Sequence, residues 1–132
     1  MGLIALSTDV VREYSIKEDT SEDKTIFLLG GIDSITRAYI DDKHMAQGSW
    51  DSIDIHDKFI DFVRFGLKGW RNFKDSSGND VPFQAEEKTL PRLGKVTLAS
   101  EASLKLLDLL WIVQLGNQVI ENSALTDQDK KK

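Results

Sequence analysis

Cysteine is missing from all 132 residues, which removes disulfides, thiolate nucleophiles and thiolate metal ligands together. Histidine is scarce: His44 and His56 fall in separate predicted helices, and neither has a ligand-like partner four residues away. Both read as surface or helix-end residues rather than general bases. Basic charge is in deficit, with 17 Lys and Arg against 22 Asp and Glu. A net charge of -5 argues against a nucleic-acid module, which shows a clustered basic face. Long apolar runs are lacking as well. The most apolar stretch, Leu104–Leu115, contains Lys105 and Asp108 and is too short to span a bilayer. The opening Met1–Leu6 lacks the charged start and small-residue cleavage site of a signal peptide. Gly30-Gly31 is followed by no Lys-Ser or Lys-Thr, so it is no phosphate loop, and no serine sits in a nucleophile elbow. The expectations are no enzymatic activity, no cofactor, no metal, no nucleic acid and no membrane.

What is present reads as an ordinary globular protein, 40% hydrophobic and 30% charged. We expect a single domain over residues 1–123 and a polar, frayed tail over 124–132. The expected fold is mainly α (α+β), with about three main helices, a small N-terminal β-hairpin and a short second hairpin. Val10–Ile16 and Thr25–Leu29 are the strands of the first hairpin, joined by the charged loop Lys17–Lys24. Asp33 or Ser34 caps a helix to about Ala46, with Ile35, Ala38, Tyr39 and Met45 turned inward. Gln47-Gly48-Ser49 breaks it, and a second helix runs from Ser52 or Asp54 to Leu67. Gln84–Lys95, punctuated by Pro91 and Gly94, reads as a loop.

The segment Phe65–Phe83 joins an amphipathic helix to aromatic residues around a turn. Ile55, Phe59, Phe62, Val63 and Leu67 recur at helical spacing, and Gly66 and Gly69 then weaken continuation. Asp75–Asp80 is a dense turn signal between two short apolar runs, the sign of a hairpin loop. Trp70, Phe73 and Phe83 serve as packing anchors at one end of the core.

A last helix is expected over Glu101–Asn122, capped by Ser100. In its first half Glu101, Lys105 and Asp108 share one face; in its second half Gln114, Asn117, Gln118, Glu121 and Asn122 cluster on roughly the opposite one. One fixed core cannot serve both halves of a straight helix. Either it lies centrally and is covered on two sides, or its second half meets another chain. On the latter alternative Trp111, Ile112, Leu115, Gly116 and Val119 are the candidate partner or self-association surface.

Other groupings are weaker. Asp51, Asp54, Asp57 and Asp61 form an acidic stripe that reads as a solvated helix face. Asp75, Ser77, Asn79 and Glu86 mimic a calcium-loop register, but Asp80 stands where that loop needs Gly. Arg64, Lys68, Arg71 and Lys74 interleave with Phe65, Trp70 and Phe73, yet overall acidity weighs against a single-strand-binding surface.

Gly66-Leu67-Lys68-Gly69-Trp70, then Phe73, Lys74-Asp75, the Gly78-Asn79 turn and Val81-Pro82-Phe83, is similar to small proteins encoded among the tail genes of long-tailed phages. With the long C-terminal helix and the polar ending Leu125–Lys130, the chain resembles their tail assembly chaperones over roughly its last two-thirds. The resemblance implies a mostly helical, non-enzymatic protein of the host bacterial cytoplasm. Such a protein holds the tape-measure protein soluble, recruits tail-tube subunits, self-associates and is absent from the mature virion. It also implies a longer frameshifted form, for which the codons of Lys130-Lys131-Lys132 are a candidate slippery run. A structural connector or tail-completion subunit of a phage is the alternative.

Overall fold

The apolar run Ile26-Phe27-Leu28-Leu29 alternates its burial and so occupies the centre of a sheet, with Phe27 and Leu29 facing the core. The structure, a computed structural model, describes residues 10–46 and 55–124. Strand β1 (Arg12–Tyr14) pairs antiparallel with β2 (Ile26–Leu29), Glu13 opposite Leu28 and Tyr14 opposite Phe27. On the other side β2 pairs antiparallel with β3 (Leu67–Arg71), Phe27 opposite Trp70.

Helix α1 (Ser34–Ala46) starts at Asp33, whose carboxylate accepts the Thr36 amide at 2.7 Å. Its inward face differs from the expected one. Ile40 is fully buried, whereas Ile35 is 65% exposed and Ala38 is also exposed. The cause is a polar contact with α2 (Ile55–Gly66): Arg37 lies over the Phe62 ring, Lys58 pairs with Asp41, and His44 Nε2 meets Asp61 Oδ2 at 2.7 Å. Apolar spacing alone does not orient a helix whose neighbour offers charges. His44 and Asp61 are therefore buried rather than superficial, and Asp61 leaves the solvated stripe, while Asp57 is exposed. The expected inward Met45 side chain, the break at Gln47–Ser49, the start of α2 and Asp51 and Asp54 lie outside the described residues.

Gly66 ends α2 where α4 (Leu109–Ala124) comes closest. A Cβ there would stand 2.5 Å from a Val119 methyl, and one on Gly116 would stand 2.7 Å from the Phe59 ring. The two helices thus interlock through reciprocal small-residue contacts, which accounts for a glycine inside α4. Leu67 opens β3 rather than extending the helix, because its strand partner Leu29 is already in place.

The mainly helical expectation fails on the segment 84–99. In place of a loop, β4 (Ala85–Leu90) and β5 (Gly94–Ala99) form a second antiparallel sheet, Leu90 opposite Gly94. Pro91 and Gly94 are the turn of a hairpin, and Arg92 adopts φ 69° within it. Arg92 also bonds Asp42 at 2.9 Å and stacks over Tyr39, tying the turn to α1. The second hairpin is therefore here and not at Phe65–Phe83, where a turn closed by the single bridge Lys74–Asp80 replaces it. The described residues make a mixed α/β fold of four helices and five strands in two small sheets.

The last helix is broken. Ser100 caps a short α3 (Glu101–Leu104), its hydroxyl accepting the Ser103 amide. Asp108 then restarts the chain as α4: its carbonyl accepts the Ile112 amide at 3.0 Å and its carboxylate the Leu110 amide at 2.8 Å. This break resolves the conflict of faces, since each half now points its own apolar side at the core.

Candidate functional site

Breaking the helix at Lys105–Asp108 leaves an elbow whose apolar residues cannot all turn inward. Leu104 and Leu107 are buried, but Leu106, Leu109 and Leu110 are 50%, 44% and 72% exposed. The cap fixes this outcome. With Asp108 holding the first turn of α4, the inward positions are Ile112, Leu115 and Val119, and Leu109 and Leu110 fall on the outer side. Exposed leucines scattered singly are ordinary; here three fall within one elbow.

Next to the elbow along α4 lies a cleft of about 280 Å³ between α4 and the loop joining β1 to β2. Its apolar lining is Ile16, Phe27, Phe73 and Trp111; Glu18, Asp19 and Thr25 form the polar side. The walls belong to a run of edge-to-face aromatic contacts: Phe83 on Trp70 at 5.1 Å, Trp70 on Phe73 at 4.9 Å, and Phe73 on Trp111 at 6.1 Å. Trp70 is further fixed by its indole N–H, which donates to the Val81 carbonyl at 2.7 Å. The aromatics of the Phe65–Phe83 segment thus do pack at one core end, and Phe73 carries that packing out to the cleft.

Gln114 holds the loop against the helix. Its Oε1 accepts from the Tyr14 hydroxyl and the Lys17 amide, each at 3.2 Å, while Nε2 donates to both Glu18 oxygens at 2.9 and 2.7 Å. Asp19 is committed to its own turn, accepting from the Ser21 hydroxyl and amide and the Thr25 amide. These bonds, the Ser21 hydroxyl first, hold the Asp19 carboxyl below its ordinary range. The Tyr14 phenol is pushed up, chiefly by burial and then by the Glu18 and Glu121 carboxylates.

The five residues singled out from sequence separate into two groups. Ile112, Leu115, Gly116 and Val119 are buried within the chain, Gly116 against Phe59 and Val119 against Gly66. Trp111 is half-buried and lines the cleft. Gln114, expected only on a polar face of the last helix, instead anchors the loop. The elbow leucines have one sequence signal, a second capping residue, Asp108, within the apolar-periodic stretch that Ser100 opens. Elsewhere, the Asp75 carboxylate is occupied by the Ser77 and Asn79 amides of its own turn. No described helix is long and apolar enough to cross a membrane. Compared with protein-family models, curated proteins and solved structures, the chain gives no match.

Proposed function

We propose that this chain is a non-enzymatic assembly factor of the phage tail, a chaperone that covers apolar helix stripes of the tape-measure protein and recruits tail-tube subunits. The observation that carries the proposal is the exposed elbow of Leu106, Leu109 and Leu110. Leucines offered on a helix start suit reversible burial of a partner's apolar stripe. The choice of partner is supported by the resemblance of the sequence from Gly66 to Phe83 to phage tail-gene products. A long helical partner repeats its stripe, so weak single contacts add up by avidity. Self-association along the partner, action in the host bacterial cytoplasm and absence from the finished virion belong to the same proposal.

The contact is placed on the elbow rather than on Leu115 and Val119, because those side chains are used inside the fold. The test is co-expression with the tape-measure protein of the source phage or prophage, comparing its soluble yield with wild type and with Leu106→Asp plus Leu110→Asp. Both positions are open to solvent, so the double variant retains the wild-type circular dichroism and unfolding midpoint. Loss of solubilisation in that folded variant is the expected result. Full solubilisation by the variant would remove the elbow from the mechanism. Failure of wild type to solubilise the partner, with the chain found in purified virions, would make it a structural subunit of the tail instead.

A further inference from the structure

The cleft beside the elbow combines aromatic walls with a carboxylate rim, and the two together define an occupant. Phe73 and Trp111 meet edge to face, and Phe27, 5.8 Å from Phe73 between ring centroids, closes the inner end. Glu18 and Asp19 stand on the loop side. The loop stays net negative around them: Lys17–Lys24 carries Glu18, Asp19, Glu22 and Asp23 against Lys17 and Lys24, of which Lys24 acts on Asp19. Glu18 is held by a neutral group, the Gln114 amide, which fixes the carboxylate in place without cancelling its charge.

Size narrows the occupant further. At about 280 Å³ the cleft falls just below the roughly 300–1,000 Å³ of sites for cofactors and drug-sized ligands, so it suits one long side chain. A purely apolar side chain would use the aromatic walls but gain nothing from the fixed charge of Glu18 at the rim. A lysine ammonium would meet that charge but keeps a tight hydration shell. A guanidinium satisfies both halves, because its weakly hydrated plane stacks on an indole while its N–H fork reaches a carboxylate. We propose that the cleft is a receptor for an arginine side chain presented by a partner polypeptide, with the guanidinium against Trp111 and Phe73 and its fork directed at Glu18. This inference rests on the cleft alone and stands apart from the tail-assembly proposal.

The experiment titrates N-acetyl-arginine N-methylamide into the full chain and follows the tryptophan indole N–H signals by NMR. The Trp111 signal is identified by its disappearance in Trp111→Phe. A saturable shift of the Trp111 indole is expected, weakened by salt, and reduced in affinity roughly threefold to tenfold by Glu18→Gln. Glu18→Gln keeps the side-chain length on an exposed loop and leaves the aromatic walls intact, so its spectrum remains that of the folded chain. The neutral norleucine counterpart is expected to give no saturable shift. An equal shift with norleucine, unchanged affinity in Glu18→Gln, or no saturable Trp111 shift up to the probe's solubility limit would each overturn the proposal.

Discussion

At the α2–β3 junction Phe65, Gly66 and Leu67 are all buried, whereas at the α3–α4 elbow Leu106, Leu109 and Leu110 stand largely in solvent. Both are places where an apolar stretch changes direction. The first is enclosed because β2 pairs with Leu67 on one side and Val119 fills the space over Gly66 on the other. The second has a cap, Asp108, but nothing laid over it within the described residues. Apolar residues at a junction thus do two different jobs. Where neighbours converge they hold the fold; where a cap turns them outward they stay exposed.

Substitution should separate the two regions sharply. The largest effect is expected at the enclosed one: Leu115→Ala, at a fully buried position, should cost about 2–5 kcal/mol in urea unfolding. The matching truncation at the elbow, Leu110→Ser, should stay within about 0.5 kcal/mol of wild type. Comparable losses from both would erase the distinction. Next in size is Gly66→Ala, whose new methyl meets the Val119 side chain and should cost about 1–3 kcal/mol through overpacking. In a Val119→Ala background the same substitution should cost markedly less, and a full additive loss there would show that the close approach is not the cause.

The smallest effect concerns the cleft rim and depends on pH. The folded Asp19 carboxyl is held below its unfolded value of 3.8. Its bonds therefore add stability above that value, and the increment is lost as pH falls through the folded value. Asp19→Asn should lower the urea midpoint slightly at neutral pH, and the difference should close in acid below the carboxylate range. A gap that persists or widens in acid would mean that Asp19 acts by packing rather than by its charge.

Much of this organisation is legible along the chain. Asp33 and Ser100 announce helix starts by their side-chain chemistry, and both accept the expected backbone amides. The apolar run Ile26–Leu29 announces a strand, and its alternating burial appears only in the fold. The misreadings share a cause. Pro91 and Gly94 are turn residues whether the flanking chain is strand or loop, and β4 and β5 carry Glu86, Glu87, Lys88 and Lys95 in place of an apolar stripe. Asp108 looks like one more polar residue on a helix face until its carboxylate is seen at the Leu110 amide.

The sequence by itself determined the absence of thiol chemistry, the caps at the starts of α1 and α3, the apolar strand Ile26–Leu29 and the aromatic content of the Phe65–Phe83 segment, because these depend on a residue and its near neighbours. Only the tertiary structure decided which side of α1 faces inward, that β3 joins β1 and β2, that Gly116 serves Phe59 within the chain, and that the described residues leave Leu106, Leu109 and Leu110 exposed. Each of those outcomes is a contact between segments distant in sequence, where ion pairing and close approach outweigh local periodicity.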